Sequence, residues 1–335
     1  MRIDILVPNL VFDSGLATLL DCFMLATGLA AQATDGGPPL EVRRVGLRPE
    51  VHTAHGLRVP IDATVEADSP PPDVAIMPAL GCITPATLDA ALRLDEVRET
   101  AALLARWRDA GTRIGGACTG TFVMAAAGLL DEQPATTTWW LAPDFRRRYP
   151  RVQLDTDRMV VPAEGCVTAG AALAHVDLAL WLIRQQSPHL ARVTARYLLL
   201  DERPSQATFA MADHLVHDDD LVTAFEAWTR EHLCDFSIAE AAIAIGTSQR
   251  TLQRRVHKVL GRSPIAYAQD VRAEQAVHLL RTTEDTLEAI AEAVGYTDPV
   301  TLRALLRRRT GLGIRAIRRG PAGQASGTEK PEESN

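Results

Sequence analysis

The run from Phe236 to Lys258, FSIAEAAIAIGTSQRTLQRRVHK, decides how the rest of the chain is read. Ile238 to Ile245 carries apolar residues at helical spacing, Gly246-Thr247 breaks the pattern, and Ser248 is placed to N-cap a second helix. That helix turns Leu252, Val256 and Val259 inward and leaves Gln249, Arg250, Gln253, Arg254, Arg255 and Lys258 on its outer face. Two short helices about a tight turn make a helix-turn-helix. Arginine and glutamine forks on the outer face suit the base edges and phosphates of a DNA groove.

A single basic helix reads equally well as a solvated face, but here the pattern recurs. Thr286 to Val294 (TLEAIAEAV) is helical, Gly295-Tyr296 turns the chain, and a capped helix runs from Asp298 through Arg309. Between the two motifs, GRSPIAYAQDVRAEQAVHLL forms a long connecting helix starting near Pro264. In TLQRRVHKVLGRSPIAYAQDVRAEQAVHLL and IAEAVGYTDPVTLRALLRRRTG the chain resembles the AraC/XylS family of transcription regulators, over residues 233–320. The resemblance implies two recognition helices entering successive major grooves about 34 Å apart on one face of double-stranded DNA. It places Arg250, Gln253 and Arg254 on bases in the first, with Ser248, Thr251 and Lys258 beside them, and Thr301, Arg303 and Arg307 in the second. Val300 and Ala304 stand where polar readers are often found, so the second helix is expected to read more weakly. Ile314 replaces the usual proline of the T-G-x-x-P run.

A length of 335 residues suits two domains, each able to bury its own core. Apolar residues make up 47% and charged residues 23%, and no run of about 18 uncharged apolar residues exists, so no membrane span is expected. The start, MRIDILVPNL, enters a strand pattern directly, without the parts of a signal peptide, and a cytoplasmic (bacterial, nucleoid-associated) location is expected. Five cysteines without CxxC spacing argue for neither disulfides nor zinc, and no cofactor or metal is expected. The formal charge of -7 is unevenly spread: residues 233–320 hold 14 Lys+Arg against 9 Asp+Glu, or +5, while residues 1–232 hold 20 against 30, or -10. A basic segment attached to an acidic one is the balance of a DNA reader joined to a domain that does not touch DNA.

The N-terminal part alternates short apolar strands with helices: strands at Arg2 to Val7, Leu40 to Gly46, Val74 to Met77 and Thr112 to Ala117, a hairpin from Val51 to Val59, and helices at Ser14 to Ala30, Pro85 to Leu92, Glu96 to Ala110 and Thr119 to Gly128. This predicts an α/β domain with a mostly parallel, flavodoxin-like sheet covered on both faces, followed by an all-α domain with two helix-turn-helix motifs. Gly116-Ala117-Cys118-Thr119-Gly120 places a cysteine at a tight strand-to-helix turn, a G-x-C-x-G counterpart of the serine nucleophile elbow. Such a turn exposes the sulfur at the sheet edge, and the helix behind it favours the thiolate. The same spacing also fits a small cysteine packed under a turn.

The runs GGACTGTFVMAAAGLLDEQPATTTWW and TAGAALAHVDLALWLI look like the ThiJ/PfpI branch of the class I glutamine amidotransferase-like superfamily, and with the C-terminal tandem the architecture resembles GlxA-type regulators. Enzymes of that superfamily pair the elbow cysteine with a histidine and an acid. In the regulator pattern the histidine falls in a T-T-H-W run, where this chain has Thr136-Thr137-Thr138-Trp139, and Thr138 cannot act as a general base. His175, after the Thr168-Ala169-Gly170 turn, is either a substitute base or a packed residue. Asp13 is either the acid near the cysteine or an acid complementing its helix dipole. Asp13, Cys118, Thr119, Thr138 and His175 are the candidate ligand-binding set, with no catalytic residue expected.

Asp144 to Arg151 (DFRRRYPR) reads as a solvated helix end, and the helices Ala171 to Gln186 and Pro188 to Leu200 close the first domain. On the second-to-last of these, Leu173, Leu178, Trp181 and Leu182 serve either a dimer interface or the sheet. The expected organisation is an amidotransferase-like domain over 1–200, a linker and connecting helix over 201–232, the double helix-turn-helix over 233–320 and a disordered tail over 321–335. Two functions follow: a DNA-binding transcriptional regulator, expected as a homodimer with RNA polymerase as a partner, whose non-catalytic first domain either senses a small-molecule effector or only dimerises; or a thiol-dependent amidase or hydrolase using Cys118 with DNA binding attached.

Overall fold

The computed structural model describes residues 1–32, 40–66, 69–201, 203, 205–206, 209–211 and 214–319, so the tail expected at 321–335 lies outside the described residues. The chain divides into two compact units, one built mainly from Met1 to Gln206 and the other mainly from Asp218 onward.

The first unit opens with β1 (Arg2–Leu6), α1 (Asp13–Gln32), β2 (Glu41–Gly46), the hairpin β3 (Glu50–His52) and β4 (Arg58–Pro60), β5 (Ala63–Thr64) and β6 (Val74–Met77). Next come α2 (Pro85–Leu92), α3 (Asp95–Asp109), β7 (Arg113–Ala117), α4 (Gly120–Ala126), β8 (Pro134–Ala135) and α5 (Ala142–Arg148). It ends with β9 (Gln153–Leu154), β10 (Val160–Ala163), β11 (Cys166–Ala169), α6 (Ala174–Gln186) and α7 (Pro188–Tyr197). Seven strands form one sheet in the order β10-β11-β7-β6-β1-β2-β5. All neighbours are parallel except β10 and β11, because Glu164-Gly165 joins those two by a turn too short for a crossover helix.

Alternation along the buried strands sends side chains to two separate cores. Ile3 and Ile5 of β1 and Val74 and Ile76 of β6 face α1, α6 and α7, while Leu6, Ala75 and Met77 face α2, α3, α4 and α5. α1 is long and apolar enough to cross a membrane by composition alone. Six of its residues, among them Leu16, Leu19, Phe23 and Ala26, are instead buried in the core. Leu178 and Leu182 are 0% and 1% exposed, so they cover the sheet and do not serve an interface; of that set Leu173 is exposed.

Of two charged clusters inside this unit, one is absent from the sequence reading and the other differs from it. Asp4 of β1 is fully buried and receives both nitrogens of the Arg43 fork, at 3.0 and 2.8 Å, which compensates its desolvation. The supposed solvated helix end is more than that: Asp144 is buried and ion-paired to both Arg147 and Arg148, and Arg148 reaches across to Asp89 of α2. The charge run therefore ties α5 to α2.

The second unit is helical throughout: α8 (Asp220–Glu231), α9 (Ile238–Ile245), α10 (Gln249–Leu260), α11 (Pro264–Thr282), α12 (Leu287–Ala293), α13 (Pro299–Thr310) and α14 (Ile314–Arg319). Side chains at Ser237, Ser248, Ser263, Thr286 and Asp298 cap the N-termini of five of them, each accepting the backbone N–H two or three residues on. Gly246 ends α9 in the left-handed conformation, at φ 76°. α8, expected as part of the connection, packs on α9 and α10, with Phe225 against Phe236 and Tyr267 at 6.3 and 5.5 Å between ring centroids.

α11 holds the two motifs together. Its Tyr267, Ala268 and Val271 are buried with the first motif, and its Ala273, Ala276 and Leu280 with α12 and α13. Asp270, midway along it, pairs with Arg262 before the helix and with Arg309 of α13. α14 forms with Ile314 as its first residue, partly packed on this core, so loss of the proline leaves the last turn helical.

Candidate functional site

The first recognition surface is the outer face of α10. Leu252, Val256 and Leu260 are buried, a stripe of two i, i+4 steps; Leu260 takes the inward place expected of Val259, which is only partly buried. Opposite that stripe Gln249, Arg250, Gln253, Arg254 and Lys258 are exposed, and among the described residues Arg250, Arg254 and Lys258 form no ion pair. Arg255 leaves the set: it pairs with Asp219, the N-cap of α8, and so fixes α10 to its own domain. Ser248 and Thr251 sit at the helix start and bond each other, the Ser248 hydroxyl donating to Thr251 Oγ1 at 2.9 Å while Thr251 N–H donates back to it. Both are engaged in capping at the end that faces outward.

α13 repeats the geometry with a poorer face. Leu302, Leu305 and Leu306 are buried, and Val300, Thr301, Arg303, Ala304, Arg307 and Arg308 are exposed. The Thr301 hydroxyl donates to Asp298, whose carboxyl is held below its ordinary value first by the Val300 N–H and then by the Thr301 hydroxyl. Polar readers are thus reduced to Arg303, Arg307 and Arg308 on a helix with two apolar residues at its exposed start.

The elbow in the first unit is present. Cys118 follows β7 with φ 53°, a left-handed conformation that a non-glycine residue seldom adopts. Gly120 is obligatory there, since a Cβ would lie 2.3 Å from the carbonyl oxygen of Met77. The sulfur is not at an exposed edge, however. Cys118 is 5% exposed, and burial pushes its thiol above the ordinary value, outweighing the backbone N–H groups of Ala172 and Thr119 and the hydroxyls of Thr138 and Thr119 that face it. α4 has only seven residues, so the expected help from its N-terminus is small beside that desolvation. Thr138 Oγ1 is buried, with no further hydrogen-bond partner among the described residues.

His175 is a packed residue and not a base. It is wholly buried; Nδ1–H donates to the Ala172 carbonyl at 2.5 Å and Nε2 accepts the Ala79 N–H at 3.0 Å, so both ring nitrogens are engaged by backbone. Burial pushes its pKa down to about 4. Gly15 of α1 gives it room, as a Cβ there would meet the ring at 2.8 Å. Asp13 starts α1 and is bound to the β3-β4 hairpin, accepting the Thr53 hydroxyl at 2.5 Å and facing His55 Nδ1 at 2.8 Å. Burial alone would raise its pKa, but those hydrogen bonds lower it. Cys118, Thr119 and Thr138 are therefore brought together, His175 is linked to Cys118 through Ala172, which bonds both, and Asp13 is committed elsewhere.

Two residues of this region are silent in the sequence. Ala172 adopts φ 38° and turns its N–H onto the sulfur. Gln206, 2% exposed, inserts beside the elbow: its Nε2 donates to Thr136 Oγ1 at 3.0 Å and to the Thr137 carbonyl at 2.9 Å, and its Oε1 accepts the Ala171 N–H at 3.0 Å. Gly170 is bare for it, since a Cβ would come within 2.4 Å of that oxygen.

The paired helices with their outward arginines define the second unit as a DNA-reading helix-turn-helix domain. Residues 241–320 match the family model described as a helix-turn-helix domain, here of the AraC type. Among curated proteins the chain is similar to the HTH-type transcriptional regulator CdhR of Pseudomonas aeruginosa, 29% identical over 56% of this chain and 57% of that one. It is also similar to the HTH-type transcriptional regulator GlxA of Rhizobium meliloti, 27% identical over 59% and 62%. The matched part spans about 60% of the length of these curated relatives. Among solved structures, a THiJ/PfpI family protein from Pseudomonas syringae aligns at 21% identity over 73% of this chain and 89% of that one, with a TM-score of 0.49.

Proposed function

We propose that the protein is a sequence-specific, DNA-binding transcriptional regulator whose first unit is a non-catalytic sensing or dimerising domain. The observation that carries this is the outer face of α10, where Arg250, Gln253, Arg254 and Lys258 are exposed together opposite a buried stripe. A regulator of this kind acts in the cytoplasm as a homodimer on an operator, in contact with RNA polymerase. Arg254 and Gln253 read bases, and Lys258 at the helix C-terminal end contacts phosphate. The buried thiol of Cys118 and the engaged nitrogens of His175 leave a hydrolase reading without a nucleophile or a base.

Binding to the preferred duplex should fall steeply with salt, with a log-log slope of about -0.9 for each phosphate contact. Arg254→Ala should cost about 1 to 3 kcal/mol on that duplex with the slope unchanged, and Lys258→Ala should reduce the slope by about one unit on any sequence. Fluorescence anisotropy on specific and random duplexes at several salt concentrations measures both. A flat salt profile, or equal losses for Arg254→Ala on both duplexes, would refute the assignment of readers.

A further inference from the structure

The two recognition helices match each other residue for residue. α10 and α13 each have 12 residues, each starts from a side-chain N-cap, Ser248 or Asp298, and each stops at a left-handed glycine, Gly261 at φ 71° or Gly311 at φ 70°. The fourth and eighth residues after the caps are buried in both, Leu252 and Val256 in one, Leu302 and Leu306 in the other. The tenth is exposed and basic in both, Lys258 and Arg308. The helices part at the second and sixth residues, which lie one turn apart on the side facing away from the buried stripe. There α10 presents Arg250 and Arg254, whereas α13 presents Val300 and Ala304, with Val300 64% exposed.

We propose that α13 reads thymine, with Val300 and Ala304 packing against the 5-methyl groups of one or two thymines in the major groove, while α10 reads its part of the site through arginine. Of the four bases only thymine carries an apolar group on its major-groove edge. An apolar stripe pressed onto the groove either covers such methyl groups or strips water from the donors and acceptors of other bases without replacing their hydrogen bonds, which costs binding. The stripe therefore selects T·A pairs and rejects G·C pairs. Val300 suits this role, because a β-branched side chain in a helix keeps one strongly preferred rotamer and holds its methyls in place. Its N–H donates to Asp298 at 2.9 Å, and the Thr301 hydroxyl donates to the same carboxylate, so the neighbouring polar hydrogens are committed to the cap. Arg308 stands at the place of Lys258, and Arg303 and Arg307 are exposed beside the stripe, so α13 keeps the charge that grips phosphates and changes what meets the bases.

This deepens the DNA-reading role proposed above and rests on it, and the experiment separates the two. The full-length protein selects its preferred duplex from a pool of random sequence, and the thymines of that duplex are then replaced one at a time by deoxyuridine, which deletes the 5-methyl group and leaves the protein untouched. At one or two positions binding should weaken about fourfold for each methyl removed, the worth of one such group taken out of water. In the double variant Val300→Ser with Ala304→Ser, both on the exposed face, duplexes with thymine or deoxyuridine at those positions should bind equally. In Arg254→Ala the methyl dependence should persist, because that residue belongs to the other helix. A selected duplex bound equally with thymine and deoxyuridine throughout would overturn this inference alone. So would a methyl dependence that the serine pair leaves unchanged, which would assign it to another contact or to DNA shape. Failure to select any duplex would remove the DNA-reading role itself, and this inference with it.

Discussion

At Cys118 geometry and reactivity part company. The left-handed backbone of an elbow is kept, but the thiol is enclosed and its pKa is raised, so at neutral pH it is a thiol and not a thiolate. Iodoacetamide applied to the native protein should therefore label the exposed Cys234 well before Cys118, which should react only on unfolding. Peptide mapping reads this, and early labelling of Cys118 would contradict the burial. His175 makes the matching prediction for stability. Unfolded, it titrates near 6.5; folded, near 4. Between those values the unfolded chain holds the extra proton, so stability is complete above about pH 6.5 and falls as the pH drops toward 4, by on the order of 3 kcal/mol in total. Denaturant midpoints at pH 7 and pH 5 should differ accordingly. The difference should shrink in His175→Gln, which will be less stable at both; an equal pH dependence in that variant would place the titrating group elsewhere.

Among the elements, the recognition helices owe their position to caps and ion pairs more than to their own propensity. Ser248→Ala should cost about 1 kcal/mol of stability in the second unit, because Thr251 N–H loses its acceptor at the start of α10. A denaturant titration of the full chain, followed through the helical signal, detects this. No change in stability, together with weaker DNA binding, would assign the hydroxyl to DNA alone. These elements were legible in advance for a local reason: a serine or aspartate, an apolar repeat and a glycine stop all fall within a dozen residues of one another. The elbow was legible on the same ground, since Gly116, Cys118 and Gly120 are adjacent in sequence. What escaped was set across the chain. Arg255 reads as a DNA-facing arginine until Asp219 arrives from 36 residues away, and Arg148 reads as solvated until Asp89 does from 59. Leu178 and Leu182 could serve a sheet or a partner until the sheet was placed beneath them.

For the whole molecule, the charge division and the two kinds of periodicity gave the order of an α/β unit and a helical unit, while the interior of the first site depended on a contact spanning 70 residues, from Gln206 to Thr136. Polar stretches between domains carry no periodic signal, so a glutamine there reads as solvent-facing. Its three hydrogen bonds have a thermodynamic consequence. A carboxamide attached to the same chain is a competitor at fixed effective concentration, on the order of millimolar for a short flexible tether. A free molecule offering only an amide must exceed that concentration before it occupies the place. Under the sensing role proposed above, a molecule with further contacts, to the buried Thr138 hydroxyl among them, would displace Gln206 at lower concentration. The occupancy threshold of that place would then be set by one side chain of the protein itself.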